Sequence, residues 1–115
     1  MVFRAVVSIE DLVMGTASKF EVGETSVAVV RTGEAEVRVV HNTCSHQQYD
    51  LAPDGWVEGN SIECALHGSC FDLDTGLPDG LPASEPIPVY ASKVEDGIVF
   101  VDVSRQLNDA PVPQF

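Results

Sequence analysis

Two short stretches, Cys44-Ser45-His46 and Cys64-Ala65-Leu66-His67, constrain this chain more than any other feature. Each offers a thiol and then an imidazole on what reads as a short loop, and 17 residues separate His46 from Cys64. That gap holds a strand, a turn and a second strand, so the two loops can return to lie side by side. Two thiolates and two imidazoles form the ligand set of a [2Fe–2S] centre in which Cys holds one iron and His the other. The order suits an elongated two-iron object, because two similar loops can then clamp it from opposite sides. A soft thiolate stabilises the iron that stays ferric, and a neutral imidazole leaves its iron easier to reduce. Tetrahedral zinc uses the same residue types and stays open here. Cys-x-His is tight for a zinc knuckle, however, and zinc ribbons repeat Cys-x-x-Cys.

The rest of the chain reads as strands. Phe3 to Ile9 is apolar and β-branched, and Ser8 with Asp11 three residues on resembles an acidic capping box for a short helical turn. Strands follow at Lys19 to Val22 and Ser26 to Arg31. Ala35 to His41 alternates, with Glu36 and Arg38 facing out and Val37 and Val39 facing in. No long helical period occurs, so the expected scaffold is all-β. Trp56 to Glu58 and Ser61 to Glu63 read as a hairpin that delivers Cys64, and Cys70 to Leu73 as a further strand. Leu77 to Pro88 carries four prolines and reads as an ordered connector. Val89 to Val94 and Ile98 to Val103 make a last hairpin around Asp96-Gly97. Ser104 to Phe115 reads as a poorly ordered tail.

A chain of 115 residues predicts one domain. It has no apolar run of membrane-spanning length and no signal-peptide pattern at its start, so a cytoplasmic location is expected. Net charge is −12, from 18 acidic and 6 basic side chains, which argues against nucleic acid and anionic membranes as partners. From Val39 to Ser92 there is no Lys or Arg, while Asp50, Asp54, Glu58, Glu63, Asp72, Asp74, Asp79 and Glu85 all fall there. The half that carries the Cys/His loops is therefore negative and would steer a partner with a basic face. Plain solubility is the competing explanation.

With the downstream stretches Phe71-Asp72-Leu73-Asp74-Thr75-Gly76 and Glu85-Pro86-Ile87-Pro88-Val89-Tyr90, the two loops resemble those of Rieske proteins. The small soluble Rieske ferredoxins are the most similar group. This resemblance implies a Rieske fold: an antiparallel β-sandwich scaffold with a small inserted cluster-binding subdomain. The domain would span residues 1–103, the subdomain about 42–73 and the tail 104–115. It implies one [2Fe–2S] cluster, with Cys44 and Cys64 on the buried iron and His46 and His67 on the outer iron. It also implies a one-electron carrier, not an enzyme by itself. Such a carrier runs between a flavin-dependent ferredoxin reductase and the terminal Rieske oxygenase of an aromatic-ring dioxygenase system, as in carbazole and biphenyl catabolism. Two other roles fit the resemblance: an accessory of iron–sulfur cluster assembly, and the small subunit of a nitrite reductase.

High-potential members of the family carry an additional Cys in each loop, joined as a disulfide; Tyr49 and Leu66 stand there in this chain. Loop packing should then rest on Leu51, Pro53, Leu66 and Phe71. Phe71 stands where the high-potential type has a Tyr hydroxyl bonded to a ligand sulfur, which implies a potential toward the lower end of the range of about −150 to +300 mV. Ser69 keeps a hydroxyl that could reach a bridging sulfide. Gly68 lets the backbone come close to the sulfurs. Cys70 reads as a small strand residue, His41 as a strand-end histidine, Tyr49 and Trp56 as packing groups, and Gln47 and Gln48 as exposed.

Overall fold

The computed structural model describes residues 2–66, 68–80 and 83–113. Among the described residues nine strands are formed, and the regular helical structure is one 3₁₀ turn, Ile9–Asp11. The strands are β1 (Arg4–Ser8), β2 (Ala17–Val22), β3 (Thr25–Gly33), β4 (Glu36–His41), β5 (Trp56–Glu58), β6 (Ser61–Glu63), β7 (Cys70–Asp72), β8 (Val89–Glu95) and β9 (Ile98–Gln106). All pair antiparallel, in a six-stranded sheet of order β1-β9-β8-β4-β3-β2 and a three-stranded sheet of order β5-β6-β7. Among the described residues no helix is long and apolar enough to cross a membrane.

The large sheet is apolar on both faces. One core gathers Val22, Val27, Val29, Val37, Val39, Tyr90, Val99 and Val101, with Val6 and Val7 of β1 packed against it. All six strands thus reach a single core, which requires the sheet to curl on itself. The other face gives Ala17, Ala28, Val30, Val40 and Val89 to a second core, shared with Cys44, Leu51, Ile62, Cys64, Phe71 and Leu73. Period-two alternation explains the split, since neighbours such as Val39 and Val40 point to opposite faces. The continuous apolar run of β3 therefore marks a strand buried twice. The inserted segment sits on the second face.

Differences from expectation are local. Ser8 occupies the N-cap of the 3₁₀ turn, but its side chain makes no capping bond; the Ile9 N–H donates instead to Gly97 O at 2.9 Å. Strand β9 continues to Gln106, beyond the point where the tail was expected to loosen. Asn108 then donates to Thr75 O and Ile87 O, both at 2.8 Å, and accepts from Val89 N–H at 3.1 Å. The tail as far as Ala110, itself buried, is held in place.

Two ion pairs tie the inserted segment to the scaffold: Lys19 on β2 with Asp50 at 2.9 Å, and Arg38 on β4 with Asp74 at 2.6 Å. The turn after β7 is shaped by Asp72, whose Oδ1 accepts from the Asp74 and Thr75 N–H groups at 2.8 and 2.9 Å. It closes at Gly76, with φ +73°. A Cβ there would collide with the Ile87 carbonyl, so only glycine lets this turn dock on the proline-rich connector.

Candidate metal centre

The first loop opens where β4 ends. His41 N–H donates to Pro88 O at 2.9 Å, and the side chain of Asn42 closes the base of the loop. Asn42 is fully buried; its Oδ1 accepts from Ala52 N–H at 2.8 Å and its Nδ2 points to Ala52 O and Ser26 Oγ at 3.4 Å. Cys44 N–H donates to Tyr49 O at 3.0 Å and Leu51 N–H to Asn42 O at 2.8 Å, so residues 44–51 form a closed loop. The second loop closes likewise, with Cys64 N–H on Ser69 O at 2.7 Å and Gly68 N–H on Cys64 O at 3.0 Å. Gly55 packs directly against the Leu51 carbonyl, where a Cβ would collide, and this seats the hairpin of β5 and β6 beneath the first loop.

The loops bring Cys44 and Cys64 together. Both are buried, both belong to the second core, and each thiol lies near enough to the other to affect its charge state. Burial pushes the Cys44 thiol up, the backbone N–H groups of His46 and Gln47 pull it down, and the neighbouring Cys64 pushes it up again. N–H groups aimed at a sulfur stabilise its anionic, metal-binding form. His46 is exposed, two residues beyond the buried Cys44 on the first loop. This donor set fits a two-iron cluster with a buried thiolate end and an exposed imidazole end. His67, the fourth expected ligand, lies outside the described residues.

The loops are fastened differently from expectation. Leu51 and Phe71 are fully buried, but Leu66 is 39% exposed and Pro53 is exposed as well. Polar straps from the proline-rich connector do the remaining work. Ser45 Oγ donates to Glu85 O at 2.5 Å, and Ala83 N–H donates to the buried Ser69 Oγ at 3.2 Å. Each loop is thereby laced to the same short segment; Leu81 and Pro82 lie outside the described residues. Sequence reasoning missed Asn42, Ser45 and Asn108 in these roles. Isolated polar residues beside a loop carry no periodic signal, and their partners are backbone atoms far away in the chain.

The other singled-out residues divide. Tyr49 packs against the second core, and Gln47 and Gln48 are exposed, as expected. His41 does end a strand; it is half-buried, with Nδ1 at 3.1 Å from the Tyr90 hydroxyl, and burial lowers its pKa. Tyr90 is itself pushed up to about 12 by burial. Trp56 is not a packing group, being 67% exposed. Cys70 lies in β7 as expected, with its thiol donating to Glu63 Oε1 at 3.5 Å.

Comparison with known proteins agrees with this fold. The Rieske [2Fe-2S] domain matches residues 3–91. The anthranilate 1,2-dioxygenase ferredoxin subunit of Burkholderia cepacia is 40% identical over 81 residues, covering 70% of this chain and 73% of that protein. The ferredoxin of carbazole 1,9a-dioxygenase from Nocardioides aromaticivorans IC177 superposes with a TM-score of 0.82 at 32% identity, covering 88% of this chain and 97% of that one. A ferredoxin chain in a complex of reduced oxygenase and oxidized ferredoxin of carbazole 1,9a-dioxygenase superposes at 0.78 with 29% identity, covering 99% and 97%. A domain match over residues 3–91, on a chain with two buried cysteines in its closed loops and an exposed histidine two residues from the first, places it in the Rieske [2Fe–2S] family.

Proposed function

We propose that this chain is the ferredoxin of an aromatic-ring dioxygenase system, taking one electron at a time from a flavin-dependent reductase and passing it to a terminal Rieske oxygenase. The observation that carries the reading is the contrast within the candidate donor set: two buried thiols and an exposed histidine. An electron carrier needs this arrangement, with one end fixed in a dry core and the other within reach of a partner. The cluster supplies a one-electron couple when bound. Cys44 and Cys64 are the proposed ligands of the inner iron, and His46 and His67 those of the outer iron. Ser45, Asn42 and Ser69 hold the loops still, which limits the rearrangement accompanying each change of charge. The carbazole system offers a precedent, since there the ferredoxin forms a complex with the oxygenase.

Reconstitution tests this. Purified protein should be coloured, contain iron and sulfide in equal amounts, and show on reduction the low average g of a mixed Cys/His cluster. Combined with a flavin reductase, NADH and an aromatic-ring oxygenase, it should be required for product formation. Zinc in place of iron, or turnover independent of this chain, would overturn the reading.

A further inference from the structure

The three-stranded sheet has an inner and an outer face. Val57, Ile62 and Phe71 are directly opposite one another across β5, β6 and β7, and Ile62 and Phe71 are fully buried in the core. The next cross-strand row, Trp56, Glu63 and Cys70, must then face outward. Glu58 and Ser61 point the same way. Trp56, the single tryptophan of the chain, stands 67% exposed on the edge strand of this face.

The indole forms a ridge between two hollows. On one side lies a hollow of about 230 Å³ lined by Glu58, Glu63, Cys70 and Asp79. On the other lies an apolar hollow of about 300 Å³, bounded by Ala17, Pro53 and Val57. Among the described residues no cation pairs with Glu58, Glu63 or Asp79. The three carboxylates line this one hollow together with Cys70, whose thiol is pushed up first by burial and its bond to Glu63 and then by the acids around it. An exposed tryptophan beside uncompensated carboxylates is the complement of a cationic side chain: the indole face takes a Lys or Arg stem and the acids take its head. Glu63 is followed in the chain by Cys64, so a partner seated here lies one residue from a proposed cluster ligand.

We propose that this outer face of β5–β7 is a docking surface for the flavin reductase, receiving a Lys or Arg of that partner against Trp56 between the acidic and apolar hollows. The proposal rests on the electron-carrier reading above and adds to it the place of contact. The exposed imidazole end transfers the electron; this flank supplies affinity and orientation.

The test uses the holoprotein and the NADH-linked flavin reductase identified in the reconstitution. Trp56→Ala and Glu58→Lys should each raise the KM for this chain about tenfold with kcat nearly unchanged, as loss of a central contact does. The midpoint potential and EPR spectrum of both variants should match wild type, and a distant charge control, Glu10→Gln, should leave KM alone. Unchanged KM in both variants would overturn the proposal. So would an effect confined to electron delivery to the oxygenase, which would assign the face to that partner instead. A wild-type holoprotein that no such reductase reduces would overturn the electron-carrier reading itself, a failure distinct from a reduced protein whose flank is inert.

Discussion

Asn42 gives the sharpest test of how the first loop is held. Its carboxamide is fully buried, and its one short side-chain bond is the 2.8 Å acceptance from Ala52 N–H. Asn42→Ala leaves that amide buried without a partner, at a cost of about 1–3 kcal/mol. The two 3.4 Å contacts to Ala52 O and Ser26 Oγ are long and add little. The space vacated by the carboxamide adds roughly another 1 kcal/mol. The sum is about 2–4 kcal/mol. At about 4 °C per kcal/mol for a domain of this size, melting should fall by roughly 8–16 °C. Asn42→Asp separates bond from volume. It keeps an acceptor for Ala52 N–H but sets a buried carboxylate against Ala52 O, so its folded pKa is raised. The variant should be at least as unstable as Asn42→Ala at pH 7 and recover as pH falls and the acid is neutralised. The assay is thermal unfolding of the holoprotein at one scan rate, followed by far-ultraviolet circular dichroism and cluster absorbance together. A melting point of Asn42→Ala within 2 °C of wild type would refute the reasoning, 2 °C being about 0.5 kcal/mol on this scale.

Three further outcomes follow from the site. Phe71→Tyr places a hydroxyl in the core shared with both cysteines, and a bond worth about 1 kcal/mol more to the reduced form raises the midpoint by roughly 40 mV; a lower potential by voltammetry would contradict it. Ser45→Ala removes the 2.5 Å bond to Glu85 O, and the cluster should bleach severalfold faster under chelator; equal bleaching would show that the strap is idle. Partial burial pushes the Asp72 carboxyl up, but N–H groups of Thr75 and Asp74 outweigh it and hold it below the ordinary range. A depressed folded pKa gives stability above the unfolded value that is lost as pH falls through the folded one. Wild type should therefore exceed Asp72→Ala by about 0.5–1 kcal/mol at pH 7 and converge with it in acid, read from melting curves; a constant gap would count against the turn.

What was legible in the sequence is what repeats or gathers an unusual set of donor side chains. The period of two located the strands within a residue or two, apart from the end of β9, which runs three residues further, because each sits between a core and solvent, or between two cores. Cys44 and Cys64 were legible because few chemistries gather that residue set. Other features depended on contacts that pattern does not encode. Leu66 looked like packing by composition but is 39% exposed. Trp56 likewise sits on an outward row fixed by register with Glu63, and register between short strands is set by the turn rather than by either strand alone. Asn108 anchors the chain beyond β9 through backbone carbonyls more than 20 residues away, and a polar, proline-containing stretch gives no hint of that.

Charge is where one dimension misleads most usefully. The span from Val39 to Ser92 has no cation of its own, yet Lys19 and Arg38 reach across from the scaffold and pair with Asp50 and Asp74. These pairs neutralise the side of the insertion that faces the sheet. Among the described residues Glu58, Glu63 and Asp79 have no such pair, nor do Asp54, Asp72 and Glu85, and the first three line one hollow on the outward face. Steering by that face is screened over a Debye length of about 10 Å at 0.1 M salt and about 3 Å at 1 M. Raising salt between those limits should lower kcat/KM for reduction by the flavin reductase severalfold, mostly through association. Neutralising Glu58 and Asp79 together should flatten that dependence, whereas neutralising the already paired Asp50 should leave it nearly intact. A salt profile equally steep in both variants would mean that total charge, and not its placement, attracts the partner.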